Sequence, residues 1–277
     1  MFSFAFVSDI HLSFYPSDQL PRMDWHPDAT SVLFAGDIMD GVDSRSIDWV
    51  LESCEGLHGF MTLGNHELYG IRRDKAIREL MAGFDNTHVK LLVNESTVVD
   101  GVRIAGTDLW TDFALMGDPK RAMERAGQAM NDYRKVRFKT GFGRGAHFRK
   151  VRPSDTLNWH SEARQFIART LETSEEPVLL MTHHAPSGRS IPDEYRGNAL
   201  SPAYASDLDH FYAEFARPPV VNIHGHIHRS QYYRMPCGTF VASNTGGYHG
   251  VEAFENFDSK RLIRIGRDRQ VVVEGYE

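Results

Sequence analysis

Gly64-Asn65-His66-Glu67 closes an apolar run, Gly59-Phe60-Met61-Thr62-Leu63, and this junction decides how the chain is read. A short strand of buried character ends abruptly on an amide, an imidazole and a carboxylate. The same transition occurs twice before it: Phe2 to Ser8 runs into Asp9-Ile10-His11, and Ser31 to Ala35 runs into Gly36-Asp37. An amphipathic stretch, Ser44 to Cys54, lies between the second and third runs, and a further helix is predicted over 72–81. Short buried strands joined by helical crossovers predict a largely parallel sheet of α/β class. In such sheets ligands bind outside the carboxyl ends of the strands, which is where these polar triplets stand.

Further strands are predicted at 89–93, 96–99 and 102–106, with a turn at Asp100-Gly101. Helical spacing runs over 118–130. A long helix is predicted to begin at Ser154 or Asp155, good N-caps after Pro153, with Trp159, Ala163, Phe166, Ile167 and Leu171 as its buried stripe. Two more apolar runs end on histidines: Pro177 to Met181 at Thr182-His183-His184, and Pro219 to Ile223 at His224-Gly225-His226. Strands at 231–235, 239–243, 262–265 and 271–274 close the chain. With no repeat, low-complexity tract or linker, the expected organisation is a single domain over 1–277 carrying a basic insertion at about 118–155.

The 277 residues, 41% hydrophobic and 25% charged, suit a globular protein with a full core. A net charge of -6 argues against bulk electrostatic binding to nucleic acid. No apolar run approaches the roughly 18 residues of a membrane helix, so no membrane partner is expected, and the N-terminus reads as a first strand, not a signal peptide. Cys54 and Cys237 stand far apart in no metal-like spacing, which fits a reduced, cytoplasmic setting.

The fourteen histidines matter for where they sit. Asp9-Ile10-His11, Gly36-Asp37, Gly64-Asn65-His66-Glu67, His183 and Gly225-His226-Ile227-His228 all follow predicted strands. Carboxylate, imidazole and amide oxygen are suitable ligands for Mn, Fe, Zn or Ni. One such end is commonly a hydrogen-bonded structural feature. Five together bury polar groups at a cost that bound cations would offset.

Asp-x-His, Gly-Asp-x-x-Asp, Gly-Asn-His-Glu, Thr-His-His-x-Pro and Gly-His-x-His, in this order from Asp9 to His228, resemble the calcineurin-like metallophosphoesterase superfamily. The Gly-Asn-His-Glu and Gly-His-x-His forms are similar to its bacterial phosphodiesterases. The resemblance implies two packed mixed β-sheets flanked by helices, a four-layer sandwich. It implies two divalent or trivalent metal ions, one held by Asp9, His11 and His228, the other by Asn65, His183 and His226, with Asp37 bridging. It further implies attack on phosphorus by a hydroxide shared between the metals, with His66 giving a proton to the leaving oxygen. His183 and His184 point to opposite sides of an extended backbone. The resemblance assigns His183 to the metal and leaves His184 to pack behind it. Asp40 occupies the position where purple acid phosphatases carry a tyrosine ligand, so this chain departs from that branch. Asp40 is expected to orient a ligand histidine. His224 reads as a structural strand-end residue, and His249 as a candidate for the rim of the site. His147 and His160 read as solvated or core residues.

Between Asn131 and Arg152 stand eight Lys or Arg, with glycines at 141, 143 and 145. One reading is a solvated loop. The other is a cap in which Arg134, Arg144, Arg149 and Arg152 contact an anionic substrate, completed by Arg189 in the loop 189–198, since the guanidinium fork pairs well with phosphate. The expected function is hydrolysis of a phosphodiester or phosphomonoester of a small nucleotide-like or other phosphorylated metabolite. A nuclease, with nucleic acid along the basic segment, is the alternative and predicts steeply salt-dependent binding. A non-catalytic scaffold is the third reading, but it should lack ligands or the acid histidine, and every such position here is filled. With Asp40 in place of tyrosine, an iron-loaded form should lack a strong visible tyrosinate-to-iron band, which an absorbance spectrum checks.

Overall fold

A computed structural model describes residues 1–141, 143–252, 256–266 and 268–274, with Arg144 described by its backbone alone. The first half runs β1 (Phe2–Val7), β2 (Ser31–Phe34), α1 (Ser44–Ser53), β3 (His58–Met61), α2 (Arg73–Gly83), β4 (Val89–Leu91), β5 (Glu95–Val99) and β6 (Val102–Thr107). The middle holds α3 (Pro119–Ala129), α4 (Asp132–Lys135), β7 (Arg137–Thr140), β8 (His147–Lys150) and α5 (Pro153–Thr173). The last part adds β9 (Val178–Thr182), α6 (Asp209–Ala213), β10 (Val221–Ile223), β11 (Gln231–Arg234), β12 (Phe240–Ser243), β13 (Leu262–Ile265) and β14 (Val271–Glu274).

The strands form two six-stranded mixed sheets, ordered β14-β13-β1-β2-β3-β4 and β11-β12-β10-β9-β6-β5. In the first, β1 to β4 are parallel, β13 pairs antiparallel with β1 and β14 antiparallel with β13; in the second, β12, β10, β9 and β6 are parallel and β11 and β5 antiparallel. Strand alternation explains the layering. Phe4, Phe6, Leu33, Leu179, Met181, Ile223 and Ala242 form the core between the sheets. Their neighbours Ala5, Val7, Val32 and Phe34 face the outer side of the first sheet, while Val178, Leu180 and Val241 face α5 and α6 on the outer side of the second. The result is the expected sandwich of two sheets between helical layers. Among the described residues no helix is long and apolar enough to cross a membrane.

Two local details differ from the sequence reading. Helix α5 begins at Pro153 itself, because proline suits the first helical turn, and the Asp155 carboxylate accepts the Arg152 N–H at 2.7 Å. The insertion is less of an excursion than its charge suggests. Ala122 and Ala126 of α3, with Tyr133, Val136 and Val151, are buried in the outer core, and only the β7–β8 hairpin stands out from it. That hairpin was not anticipated, since its short strands are broken by Lys and Arg.

A buried hydrogen bond ties the second sheet to its helices: Tyr212 Oη donates to Asn222 Oδ1 at 2.7 Å, and Asn222 Nδ2 donates to Thr182 Oγ1 at 3.0 Å. Tyr212→Phe would leave the Asn222 oxygen buried without that donor. It should cost about 1–3 kcal/mol of stability, measurable by urea unfolding.

Candidate metal centre

The carboxyl ends of β1, β2, β3, β9 and β10 converge on one site. Four residues there adopt the left-handed backbone region: Asp9 at φ 54°, His11 at 48°, Asp37 at 55° and His226 at 65°. Such conformations cost about 1–3 kcal/mol each for non-glycine residues and persist only where the surroundings over-determine them. Here the main chain does so. Asp9 N–H donates to Gly36 O at 3.0 Å, His11 N–H to Asp37 O at 3.0 Å, and Gly225 N–H to His183 O at 3.0 Å. Glycines make room for the carboxylates. A Cβ on Gly64 would lie 2.1 Å from Asp37 Oδ1, and one on Gly225 would lie 2.5 Å from Asp9 Oδ2.

The ligand-type atoms form two groups linked through His11 and Asp37. Asp9, His11 and His228 offer atoms within 4.8 Å of one another, as do Asp37, His183 and His226, and His11, Asp37 and His66 make a third such set between them. Asp37 Oδ2 lies 3.3 Å from His183 Nε2 and 3.9 Å from His11 Nε2, a bridging position. Asn65 Oδ1 is 3.0 Å from His183 Nε2. The fit to cations follows from what these atoms lack. His226 Nε2 is buried with no hydrogen-bond partner, and His11 Nε2 and His228 Nε2 face each other at 3.2 Å. Buried polar atoms are normally satisfied, and convergent nitrogen lone pairs are satisfied by a metal ion. His183 Nδ1 donates to Ala35 O at 2.9 Å, which turns its Nε2 lone pair toward the site.

Supporting contacts hold these side chains. The Glu67 carboxylate accepts N–H bonds from Asp37 (3.0 Å), Ile38 (2.8 Å), Met39 (3.2 Å) and Gly64 (2.6 Å). Burial, joined by the negative charge of Asp37, pushes its carboxyl up to about 7 against the pull of those donors. Asp40 Oδ1 lies 2.6 Å from His66 Nδ1 and 3.6 Å from His11 Nδ1, so it orients His66 most directly. Burial alone would raise the Asp40 carboxyl, yet the neighbouring imidazoles of His11 and His66 hold it below its usual range. His184 packs behind the site: Nδ1 bonds Asp108 O at 3.2 Å, one face stacks on Trp110, and its ring centroid is 4.1 Å from that of His226. Burial and the adjacent His183 push it down to about 3, so it is a neutral imidazole. His224 bonds Gly225 O and Ser190 Oγ, His160 is buried against Leu109 O, and His147 is exposed on β8.

Three residues take roles at the site that the sequence did not assign to them. Asp132, fully buried at the start of α4, accepts Asn65 Nδ2 at 2.7 Å and thereby aims Asn65 Oδ1 at His183. Glu252 Oε2 lies 2.6 Å from His228 Nδ1. Tyr248 Oη lies 3.3 Å from His66 Nε2, and its ring sits 4.5 Å from that of His11. His249, the residue expected at the rim, instead stacks on Tyr15 at 4.1 Å. Nothing in local sequence distinguishes these residues, because each acts through a contact made far along the chain.

A cleft of about 730 Å³ opens beside Asp37, Asn65, His66, His226 and His228. The segments expected to approach the site do so: Asn131 and Asp132 line the cleft, as do Ile191, Glu194, Tyr195 and Asn198. The predicted cations whose side chains are described do not line it. Arg134 donates to Gln128 O, Arg149 makes two bonds to Asp155, and Arg189 donates to Arg234 O. Arg152 opens α5, away from the cleft lining. The side chain of Arg144 lies outside the described residues.

Residues 2–230 match the family model of calcineurin-like phosphoesterases. The uncharacterized protein L509 of Acanthamoeba polyphaga mimivirus is 24% identical over 268 residues, spanning 88% of this chain and 90% of that protein. Among solved structures, the phosphopantetheinyl hydrolase PptH from Mycobacterium tuberculosis superposes with a TM-score of 0.63 at 16% identity, covering 89% of each chain. A dimetal phosphatase from Danio rerio superposes at 0.51 with 15% identity, covering 100% of this chain and 99% of its own. These structural likenesses concern the fold.

The Asp132 contact makes a measurable claim. Asp132→Ala should lower metal affinity about 10–100-fold, the usual effect of removing a partner behind a ligand, while Asp132→Asn, which keeps an acceptor, should lose less. Calorimetric titration of the metal-free protein with manganese checks both.

Proposed function

Because this chain belongs to the calcineurin-like phosphoesterase family, we propose that it hydrolyses a phosphodiester or phosphomonoester of a small molecule at a dinuclear metal site. The observation that carries the reading is the position of Asp37, whose Oδ2 lies between His183 Nε2 and His11 Nε2 at 3.3 and 3.9 Å. Asp9, His11 and His228 would hold one ion and Asn65, His183 and His226 the other, with Asp37 shared. A bound pair of such ions supplies a water-derived nucleophile near neutral pH and offsets charge on the phosphoryl oxygens. Manganese, iron, zinc and nickel all suit the donor set.

The chain's own residues supply the rest. His66 is held by Asp40 through Nδ1 and presents Nε2 to the cleft, placed to give a proton to the leaving oxygen. Tyr248 Oη lies 3.3 Å from that nitrogen, where a leaving oxygen would take its place. Asp40 and Asp37 both favour the protonated form of His66 against the opposing effect of burial. The nuclease reading has less support, since Arg134, Arg149 and Arg189 are engaged with the chain itself. The reading includes a reducing, cytoplasmic setting, in which Cys54 and Cys237 remain free thiols. A first screen spans matched mono- and diesters, cyclic nucleotides and a phosphopantetheinyl ester, the last because the similar mycobacterial protein is named for that hydrolysis.

Asp37→Asn should reduce binding of both metals, whereas His66→Gln should keep them and slow turnover by about 10²–10⁴-fold. The His66 loss should be larger for an alkyl ester than for p-nitrophenyl phosphate, whose leaving group needs less protonation. Elemental analysis and kcat on the two esters check this; full activity with one metal per chain, or equal losses on both esters, contradicts it.

A further inference from the structure

We infer that the cleft beside the metal centre accepts a phosphate ester whose alcohol is an uncharged, largely apolar chain, and that its carboxylates turn away substrates with a second anionic group. This rests on the phosphoesterase reading above and adds the class of leaving group.

The cleft is of ordinary size for a small-molecule site, for which about 300–1,000 Å³ is typical. Beyond the metal-type ligands and His66, most of its lining residues are apolar or aromatic, with polar groups set among them. Met130, Tyr69, Ile191, Leu200, Tyr204 and Ile227 contribute to it. Ile191 and Ile227 belong to a small apolar cluster with Ala185 and Ala205, so this wall is packed from behind. Tyr195, 55% exposed, extends the apolar lining to the mouth. Neutral hydrogen-bonding groups, Asn131, Asn198 and Ser201, are interspersed. Such a surface gains by covering methylene groups and uncharged polar atoms.

Its charge points the same way. Beyond the metal-type ligands and His66, the described lining carries three carboxylates, Asp132, Glu194 and Glu252, against one guanidinium, Arg229. Arg229 is committed to Glu194 at 2.7 Å. The nearby cation Lys135 lies over the Tyr69 ring at 4.4 Å and is absent from the lining. Among the described lining residues a phosphate held at the metals therefore finds no free cation for a second anion. Like-charge juxtaposition is a common means of rejecting a wrong ligand.

The test compares two non-hydrolysable probes of equal chain length, hexylphosphonate and hexane-1,6-bisphosphonate, titrated calorimetrically into the manganese-loaded full chain. Hexylphosphonate should bind at least about tenfold more tightly. Glu194→Gln, which frees Arg229 at an exposed position, should narrow that ratio at least about threefold. The ratio is taken within one preparation, so a partly inactive variant does not distort it. Equal or tighter binding of the bisphosphonate overturns the inference, as does a ratio that Glu194→Gln leaves untouched. Turnover of hexyl phosphate and hexyl methyl phosphate is followed in parallel. If neither is hydrolysed while the binding preference holds, the phosphoesterase reading fails and the cleft assignment stands.

Discussion

A single buried carboxylate sets the geometry on which the site depends. Glu67 accepts the backbone N–H groups of Asp37, Ile38, Met39 and Gly64, and so clamps the end of β2 to the end of β3. Only a carboxylate offers two acceptor oxygens, with enough lone pairs, to four donors in so small a volume. The clamp holds the chain where Asp37 takes a left-handed conformation and where its Oδ1 meets the His66 N–H at 2.8 Å. It also explains why residue 64 has no side chain, since the Asp37 carboxylate fills that space.

The second constraint is the spacing of the two sheets. β1, β2 and β3 carry Asp9, His11, Asp37 and Asn65, whereas β9 and β10 carry His183, His226 and His228. Both halves meet because a common core of Phe4, Phe6, Leu33, Leu179 and Met181 fills the gap between sheets. Main-chain bonds then lace the loops together across the join, as when Gly246 and Gly247 donate to Ser8 O and Asp9 O. Packing and polar satisfaction therefore act together: the core sets the approach and the loops set the aim.

The basic insertion shows how charge can mislead when read without neighbours. Arg134 and Arg149 find partners close at hand, in a carbonyl, an ion pair and an aromatic ring. Arg149 pairs with Asp155 and covers Phe138 at 4.4 Å, and Arg72 covers Phe148 of the same hairpin at 5.3 Å. These contacts fasten the hairpin to the body of the protein. The contribution of the insertion to the site comes instead from its roots, where Met130, Asn131 and Asp132 reach the cleft.

Local chemistry was legible along the chain because strand periodicity and strand-end residues are written in consecutive positions. The strands at 2–7, 31–34, 58–61 and 178–182, the buried stripe of α5 and the donors Asp9, His11, Asp37, Asn65, His183, His226 and His228 could all be read in that way. What could not be read was any property that depends on two distant segments meeting. Asp132 finds Asn65 across 67 positions, Tyr248 finds His66 across 182, and Arg134, Arg149 and Arg189 turn to partners away from the cleft lining. The sequence by itself determined which chemistry the strand ends offer, since that follows from residue type and spacing. Only the tertiary structure decided which side chains hold those groups in place and what the cleft beside them will accept. Orientation and electrostatic environment belong to the packed neighbourhood, not to any one segment.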